Sequence, residues 1–545
     1  MLAERFMPLR AALALLLGLA GGVAGVAPAA PGATTLGPDG MVTLTVVVPL
    51  AVPEADTGFI PAAALAQYTS ASGLLTRELD ALIGRPVAIA IDPRIIASIR
   101  ILGSSAPPSA LAWLDRLAAV SNETFPLTYA DSDITLATQA GSGRVLEPES
   151  FDFAIDPALF TPPDALNPTP APTPPAIELP TSESLLQWPY SLTSIAWPRD
   201  ASVVKDDLST IAASGYSTTL LSSSNVTRDD PSPVVTVADG RAAVADDTVS
   251  AALRAAVASV GPEDWEAAMA AVFAVLDAAP ESVLATLDRT VPISGTHLAD
   301  TLAALQADPR VRFSGLGELI AGAAAGATLV DSPQDASRVA KVTVLLDAER
   351  AEARFATVAD SPSEITAPRR LQLLALLSTA WLQNPDGWVT ATDAHLTASS
   401  DLRSSVQVVA YSSFNLLADS AGLPISVSNT LDQPVTVYIT VRPETALLAV
   451  GDSRVALVVE PDSQAKGQIP VQAVSNGTVQ VLITLSSGAG APVGDPATAE
   501  INVQAGWETP VVLVIAAIVV VVFAVGIVRN ILRRRTPGDP VGDDD

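Results

Sequence analysis

Cysteine is absent from this chain of 545 residues, and histidine occurs only at His297 and His395. Structural zinc sites, iron–sulfur clusters and thiol chemistry are excluded in their usual forms, because cysteine and histidine are the ligands that they use. No disulfide can cross-link the chain, so its stability must come from packed hydrophobic cores. We therefore expect no metal and no other cofactor.

Basic residues are scarce relative to acidic ones. The chain has 30 Lys and Arg against 58 Asp and Glu, which gives a formal net charge of -28 at pH 7. This excess argues against nucleic acid as a partner, because its phosphates are bound by Lys and Arg that displace counterions. It also argues against a polybasic attachment to anionic lipid.

The N-terminal residues have the pattern of a secretory signal peptide. Arg5 and Arg10 precede an apolar run over residues 11–26, and Ala27-Pro28-Ala29 then provides a cleavage site of small residues. We expect residues 1–29 to be a signal peptide and the rest of the chain to be exported.

The C-terminal region contains a second apolar run that is long enough to cross a bilayer. Residues 510–528 carry no charge, and Arg529 and Arg533 follow them. About twenty apolar residues span the hydrocarbon core as a helix, and arginine is favoured on the cytoplasmic side. The sequence predicts a transmembrane helix over 510–528, a cytoplasmic tail over 529–545, and a single-pass cell-membrane protein whose large N-terminal part is extracytoplasmic.

Strand and helix patterns alternate over residues 41–335. Residues 41–50 are a short β-branched run, and residues 60–82 have the spacing of a helix. Such alternation is typical of parallel βα units, so we predict an irregular barrel-like α/β domain. A further β element is predicted at 290–293. The proline-rich insertion 161–180 is an exposed loop or an interdomain linker.

Two smaller parts follow the α/β domain. Residues 336–405 read as mostly helical and predict a helical layer. From residue 406 the apolar period changes to two, as in the alternation of Val435, Val437 and Ile439 with polar residues. About seven short strands predict an immunoglobulin-like β-sandwich over 406–505. The predicted fold class is therefore multidomain α/β plus all-β, with a C-terminal transmembrane helix.

Three aspartates are candidates for catalysis. Asp92 follows a predicted strand at 86–91, and active sites of βα folds collect at the carboxyl ends of strands. With Asp131 or Asp133 it would form the carboxylate pair of a glycosidase, about 5 to 9.5 Å apart. Each has a structural alternative: Asp92 precedes Pro93 and closes a strand, whereas Asp131 and Asp133 cap the next helix.

The segment Trp197-Pro198-Arg199-Asp200 is a candidate for ligand binding. Trp197 would be a platform for a sugar ring and Asp200 its polar partner, although a tryptophan that ends a strand is also typical of a hydrophobic core. No role is assigned to the histidines. His297 lacks a G-x-S-x-G nucleophile elbow to act on, and it is typical of a helix start.

Four short motifs resemble an uncharacterised actinobacterial family of single-pass envelope proteins that are often encoded beside the lipid II flippase. They are AIDP at 90–93, TYADSD at 128–133, IAWP at 195–198 and PISVSN at 424–429. The resemblance implies a role in the assembly of the cell wall or of surface glycans.

The α/β part is also distantly similar to the irregular barrels of polysaccharide deacetylases and related glycoside hydrolases. Those deacetylases bind a metal through an Asp-Asp pair and an H-x-x-x-H pair. This chain has no H-x-x-x-H, and the neighbour of Asp92 is Pro93. Metal-dependent deacetylation therefore lacks its ligands here.

The sequence favours a membrane-anchored accessory protein of the cell envelope that binds a glycan or an envelope protein without catalysis. The alternative is a carbohydrate-active hydrolase that uses Asp92 with Asp131 or Asp133. A third interpretation is an adhesin-like sandwich protein.

The predicted orientation can be tested with protease added to intact spheroplasts. We expect digestion of the large acidic part, because the arginines after residue 528 hold the tail inside. Lysed cells serve as the control in which both sides are digested. Survival of the large part, with cleavage of the final residues, would contradict the orientation.

Overall fold

A computed structural model describes most of the chain between residues 41 and 534. The described ranges are 41–160, 179–238, 240–290, 296–409, 413–416, 420–452, 454–503 and 508–534. The predicted signal peptide, residues 161–178 of the proline-rich insertion and the tail from residue 535 lie outside them.

The N-terminal part alternates strands and helices, as its sequence pattern predicts. In chain order its elements are β1 (Val42–Leu50), α1 (Ala62–Tyr68), α2 (Leu74–Leu82), β2 (Ala88–Ile91), α3 (Pro93–Ile101), α4 (Pro108–Ala118), β3 (Thr124–Pro126), α5 (Ile134–Gln139), α6 (Ser182–Leu186), β4 (Ile195–Ala196), α7 (Lys205–Ala213), β5 (Thr218–Ser222), β6 (Val226–Thr227), β7 (Val234–Val237), β8 (Gly240–Ala245), α8 (Asp247–Ala258), α9 (Pro262–Asp277), β9 (Ser282–Thr286), α10 (Thr296–Ala307), β10 (Val311–Phe313), α11 (Leu316–Ala321), β11 (Ala325–Gly326) and β12 (Thr328–Leu329).

Parallel strands form a curled sheet in which spatial neighbours follow the order of the chain. β1 pairs with β2 and with β9, β2 pairs with β3, β4 with β5, β5 with β8, and β8 with β9. Between β3 and β4, the amide of Leu192 donates a 3.0 Å hydrogen bond to the carbonyl of Thr124. The carboxyl ends of these strands therefore meet at one end of the sheet.

The inner face of the curled sheet is filled by one apolar cluster. Each of these parallel strands contributes to it; examples are Val47, Ala90, Phe125, Leu220 and Leu284. Helices cover the outer face, where a larger cluster packs. Because both faces are buried, the strands are almost continuously apolar, as parallel strands usually are. The coarse prediction of a mixed α/β part with a parallel sheet is confirmed.

One strand, β9, lies just before the region where the sequence pattern predicts a β element. A β element is predicted at 290–293, but the strand of this region is β9, which ends at Thr286. Residues 291–293 lie outside the described residues. Strand β9 has the sequence SVLAT directly after a long helix, and five residues buried on both faces show no alternation that separates strand from helix.

Three helices follow, namely α12 (Ala336–Ala356), α13 (Pro362–Leu376) and α14 (Pro385–Arg403). The indole nitrogens of Trp381 and Trp388 donate to the carbonyls of Ala375 and Leu376 at 3.0 and 2.8 Å. These carbonyls belong to the last turn of α13, which has no partners for them within the helix. The two indoles therefore cap α13 and fix the connection to α14.

A buried ion pair joins these helices. Arg369 Nη2 lies 2.9 Å from Glu352 Oε1 and donates a hydrogen bond of 2.9 Å to the carbonyl of His395. Burial, and the nearby charge of Arg369, lower the pKa of His395 to about 3. His395 is therefore a neutral core residue at pH 7.

The C-terminal region contains nine described strands: β13 (Val406–Val408), β14 (Ser413–Leu416), β15 (Ser420–Asn429), β16 (Val435–Pro443), β17 (Leu448–Val450), β18 (Val455–Val459), β19 (Ser463–Ala473), β20 (Gly477–Ser486) and β21 (Pro492–Val503). They form a four-stranded sheet, β13-β15-β19-β17, and a five-stranded sheet, β14-β21-β20-β16-β18. The two sheets share one apolar core. The immunoglobulin-like topology stays a prediction.

This β region is packed against the helices that precede it. Phe355 and Val358, at the end of α12, belong to the core that the two sheets share. Ala359 forms an isolated β-bridge with Val435, and the hydroxyl groups of Thr357 and Ser487 are 2.7 Å apart. Apolar and polar contacts thus both join the helical layer to the β region.

The last element is a long apolar helix, α15 (Glu508–Arg533). Within the described residues it is the one helix long and apolar enough to cross a membrane, with 22 residues from Val512 to Arg533 and a mean hydropathy of 3.0. Its apolar side chains are exposed rather than packed in a core. The helix fits single-pass membrane anchoring, whereas its orientation stays a prediction.

Candidate functional site

A pocket of about 190 Å³ opens at the carboxyl end of the curled sheet. Trp197, Arg199 and Asp200 come from the loop after β4, and residues 287–290 come from the loop after β9. Arg254 reaches it from α8. Thr379 and Leu382, in the connection between α13 and α14, form its opposite wall. The pocket thus lies where ligand sites of parallel βα folds form.

Asp131 joins three elements beneath this pocket. It is 2% exposed, and its Oδ1 lies 2.7 Å from Arg289 Nη1. Its Oδ2 accepts a hydrogen bond from the hydroxyl of Thr379. Burial raises the pKa of Asp131, while the charge of Arg289 opposes that rise. The carboxylate therefore ties the loop after β3 to the loop after β9 and to the helical layer.

Asp133 combines a helix cap with a contact to the pocket wall. Its Oδ1 accepts from the amide of Leu136 at 3.1 Å and so caps α5, as the structural alternative proposes. Its Oδ2 accepts from Gln334 Nε2 at 2.8 Å and lies 3.4 Å from Arg199 Nε. Asp133 therefore lies close to Arg199 of the pocket wall without a hydrogen bond to its Nε.

Asp92 is also a helix cap. Its Oδ1 accepts from the amides of Arg94 and Ala130 at 2.9 and 2.8 Å. The first of these bonds caps α3, and the second ties the strand end of β2 to the loop after β3. Burial raises the pKa of Asp92 to about 7, although the charge of Arg94 opposes the shift.

None of the three predicted carboxylates lines the pocket. Asp92 and Asp133 bind backbone amides, and Asp131 is held in an ion pair and a hydroxyl bond. A glycosidase needs one carboxyl group on each side of the bond that it cleaves. The structure therefore gives these side chains structural partners, and their catalytic role stays a prediction.

The two predicted ligand-binding residues both line the pocket. Trp197 is 5% exposed, and the guanidinium carbon of Arg289 lies 4.6 Å from the centre of its ring. A sugar ring stacked on Trp197 would have to displace that cation, so the indole serves as a support for Arg289. Asp200 Oδ2 lies 2.6 Å from Arg254 Nη2 at the mouth of the pocket.

Sequence reasoning missed the three arginines, Arg199, Arg254 and Arg289. Arg199 belongs to the WPRD segment, in which the sequence pattern predicts ligand binding for Trp197 and Asp200 only. Arg254 interrupts the mostly apolar helix α8, which was a usable signal. Arg289 follows β9, a strand that the periodicity did not reveal. These side chains come together only because the sheet curls.

Left-handed backbone is concentrated around the pocket. Ala130 and Asp131 have φ of 60° and 47°, Ser194 before β4 has 60°, and Ala201 after Asp200 has 50°. A residue with a Cβ is strained in this region by roughly 1 to 3 kcal/mol. Strain of this kind persists where surrounding contacts enforce it, which is typical of functional loops.

Comparisons with known proteins give a family without an assigned function. A family model described as a family of unknown function, DUF6049, matches residues 37–539. No curated protein matches the chain. Within the described residues, no group of three His, Cys, Asp or Glu side chains could hold a metal ion.

The chain has low-scoring similarity to several solved structures. The α-amylase AmyC from Thermotoga maritima is 8% identical, with a TM-score of 0.39 over 66% of this chain and 93% of the other. Alpha-2-macroglobulin from E. coli is 21% identical, with a TM-score of 0.16 over 18% of this chain and 7% of the other. WR4, an MSP family member from C. elegans, is 12% identical, with a TM-score of 0.15 over 18% and 99%.

We predict that Ala130→Gly leaves the stability almost unchanged, because relief of the left-handed backbone offsets the loss of a buried methyl group in the core. The free energy of unfolding should change by less than about 0.5 kcal/mol, measured by urea titration of the full chain in detergent with tryptophan fluorescence. Ala251→Gly is the matched control: Ala251 is exposed in the interior of α8, and its loss should destabilise by about 1 kcal/mol. Equal losses in both variants would show that Ala130 is not strained.

We predict a pH-dependent effect of Asp92→Asn. The unfolded carboxyl group ionises near pH 4, whereas the folded one stays protonated until about pH 7. Asp92 therefore costs stability progressively as pH rises through this window, by roughly 1.4 kcal/mol per pH unit. Asn retains the helix cap without ionising, so the variant should gain stability relative to wild type as pH rises.

Asp246→Asn is the control for this measurement. Asp246 also caps a helix, α8, through the amides of Thr248 and Val249, but it is only half-buried. Unfolding of both variants and of the wild type should be followed between pH 4 and 7. A constant difference between Asp92→Asn and wild type across that range would rule out the raised pKa.

Proposed function

The chain belongs to the DUF6049 family, and from that premise we propose that it is a membrane-anchored, extracytoplasmic accessory protein of the cell envelope that binds a glycan without cleaving it. The pocket at the carboxyl end of the curled sheet is the proposed binding site. The observation that supports it best is that polar side chains line this pocket, whereas the three predicted catalytic carboxylates, Asp92, Asp131 and Asp133, do not.

The size of the pocket suits part of a glycan. Sites for drug-sized ligands usually enclose about 300 to 1,000 Å³. A volume of about 190 Å³ is below that range and matches one residue or one substituent of a longer chain. The rest of the glycan would lie across the loops after β3, β4 and β9. This geometry favours recognition of an end group or a side group.

The anchoring of the pocket supports a fixed place near the membrane. The helical layer contributes Thr379 to the pocket and Phe355 to the core of the β region. The β region, which we propose to be an immunoglobulin-like stalk, precedes α15 by four residues. Shared cores resist bending, so the pocket, the helical layer and the β region would be held together. The arginines after residue 528 support the extracytoplasmic orientation.

A pull-down with envelope glycan fragments tests this function. The full chain in detergent should retain fragments, and the recovered fragments should have their original length. Leu382→Trp should reduce retention by about tenfold or more, because the indole fills a pocket of this size. Leu111→Trp, on the exposed face of α4, is the matched control and should bind as the wild type does.

Two results would count against the proposal. Fragments that are shortened by the wild type and left intact by Asp92→Asn would favour the hydrolase that uses Asp92 with Asp131 or Asp133. If the correctly folded protein retains no glycan, the proposal that it binds a glycan is wrong.

A further inference from the structure

We infer that the pocket takes one anionic group, a carboxylate or a phosphate, borne by its ligand. This rests on the proposed glycan-binding function and names the class of glycan: an acidic one. The inference starts from the three arginines of the pocket, Arg199, Arg254 and Arg289, which reach one small volume from three different elements.

Each guanidinium group donates a hydrogen bond to an acceptor within the protein. Arg289 is held by Asp131, and Arg254 donates to the carbonyl and hydroxyl of Thr286 at 3.0 and 2.8 Å. Arg199 Nη2 donates to Gln334 at 2.7 Å. These bonds use one edge of each planar group and fix its direction. Pre-organised forks of this kind lose little freedom when they bind a carboxylate or phosphate.

One donor of these three groups remains without a hydrogen bond. Arg199 Nε is buried and has no hydrogen bond in the part of the chain that the structure describes. Its nearest carboxylate oxygen, in Asp133, is 3.4 Å away, beyond the usual range for N–H···O bonds. A buried donor of this kind is costly unless a ligand or a water satisfies it, so this position favours an incoming acceptor.

The aspartates that line the pocket leave room for such an acceptor. Asp288 Oδ1 accepts from the amide and hydroxyl of Thr290, so this oxygen is engaged in its own turn. Asp200 pairs with Arg254, and its side chain is 37% exposed, so this ion pair is partly in contact with solvent. Displacing it would leave Arg254 open to a ligand. An Arg binds carboxylate and phosphate through two parallel N–H···O bonds, which a neutral hydroxyl cannot match.

The charge of the whole chain makes this cluster selective. A net charge of -28 repels anions from most of the surface. The three guanidinium groups that line the pocket beside Asp200 and Asp288 are the positive charges that would hold one anionic group. Two sources share this chemistry: a uronic acid supplies a carboxylate, and a sugar phosphate supplies a phosphate.

Calorimetry on the full chain in detergent tests the inference with four probes: glucuronate, glucose 1-phosphate, inorganic phosphate and glucose. We expect glucuronate or glucose 1-phosphate to bind at least about tenfold more tightly than glucose, and the affinity to fall as salt is raised. The stronger of the two acidic sugars identifies the source of the anion. Tight binding of inorganic phosphate, without binding of either acidic sugar, would contradict the inference that the anionic group is carried by a glycan.

Two variants with opposite expected effects separate ligand contact from folding damage. Arg254→Gln should weaken binding of the acidic sugar by about tenfold or more, because a charge-assisted bond is lost. Asp200→Asn should strengthen it, because the internal competitor for Arg254 is neutralised. A merely structural role of the pair predicts weakening in both. Arg312→Gln, on exposed β10 away from the pocket, is the control.

The outcomes distinguish this inference from the proposed function. Equal affinity for glucose and glucuronate, with no gain in Asp200→Asn, would overturn the anionic ligand while glycan binding stands. Absence of binding to all probes and to envelope glycan fragments would overturn both.

Discussion

The ion pair between Asp131 and Arg289 is the contact on which the pocket depends. Burial of two charges costs several kcal/mol each, and the loss is offset only when geometry and hydrogen bonds are good. Here the hydroxyl of Thr379 binds the carboxylate, and the ring of Trp197 supports the guanidinium. Because these groups come from four separate segments, the pair fixes how the loops and the helical layer meet.

The sequence predicts much of the scaffold, because buried faces of helices and strands require apolar residues at regular spacing. The β-branched run over residues 41–50 and the alternation that starts at Val435 predict strands, and the structure has strands at Val42–Leu50 and Val435–Pro443. The sequence pattern does not predict β9, because a short strand that is buried on both faces shows no alternation of apolar and polar residues. Because β9 is not predicted, the sequence does not indicate that Arg289 follows a strand end. The immunoglobulin-like topology and the signal peptide stay predictions.

The sequence predicts the location of the candidate site at the strand ends, but it does not predict the roles of the residues there. Asp92, Asp131 and Asp133 were selected because acidic residues at strand ends are typical of active sites, and Trp197 and Asp200 do line the pocket. The same sequence positions are also where helices start, and aspartate is a preferred cap. Residue type and spacing cannot separate a cap from a catalyst, because both need a short side chain with an acceptor.

What separates the two is which atoms remain without partners after folding. Oxygens of the buried carboxylates bind amides, a hydroxyl group and an arginine, so these groups are committed to holding loops whose backbone is strained at Ala130 and Asp131. Among the donors of Arg199, the buried Nε has no hydrogen bond, whereas Nη2 donates to Gln334. With Asp92, Asp131 and Asp133 held by these partners and the Nε of Arg199 unbonded, we propose that the pocket binds an acceptor rather than transfers a proton.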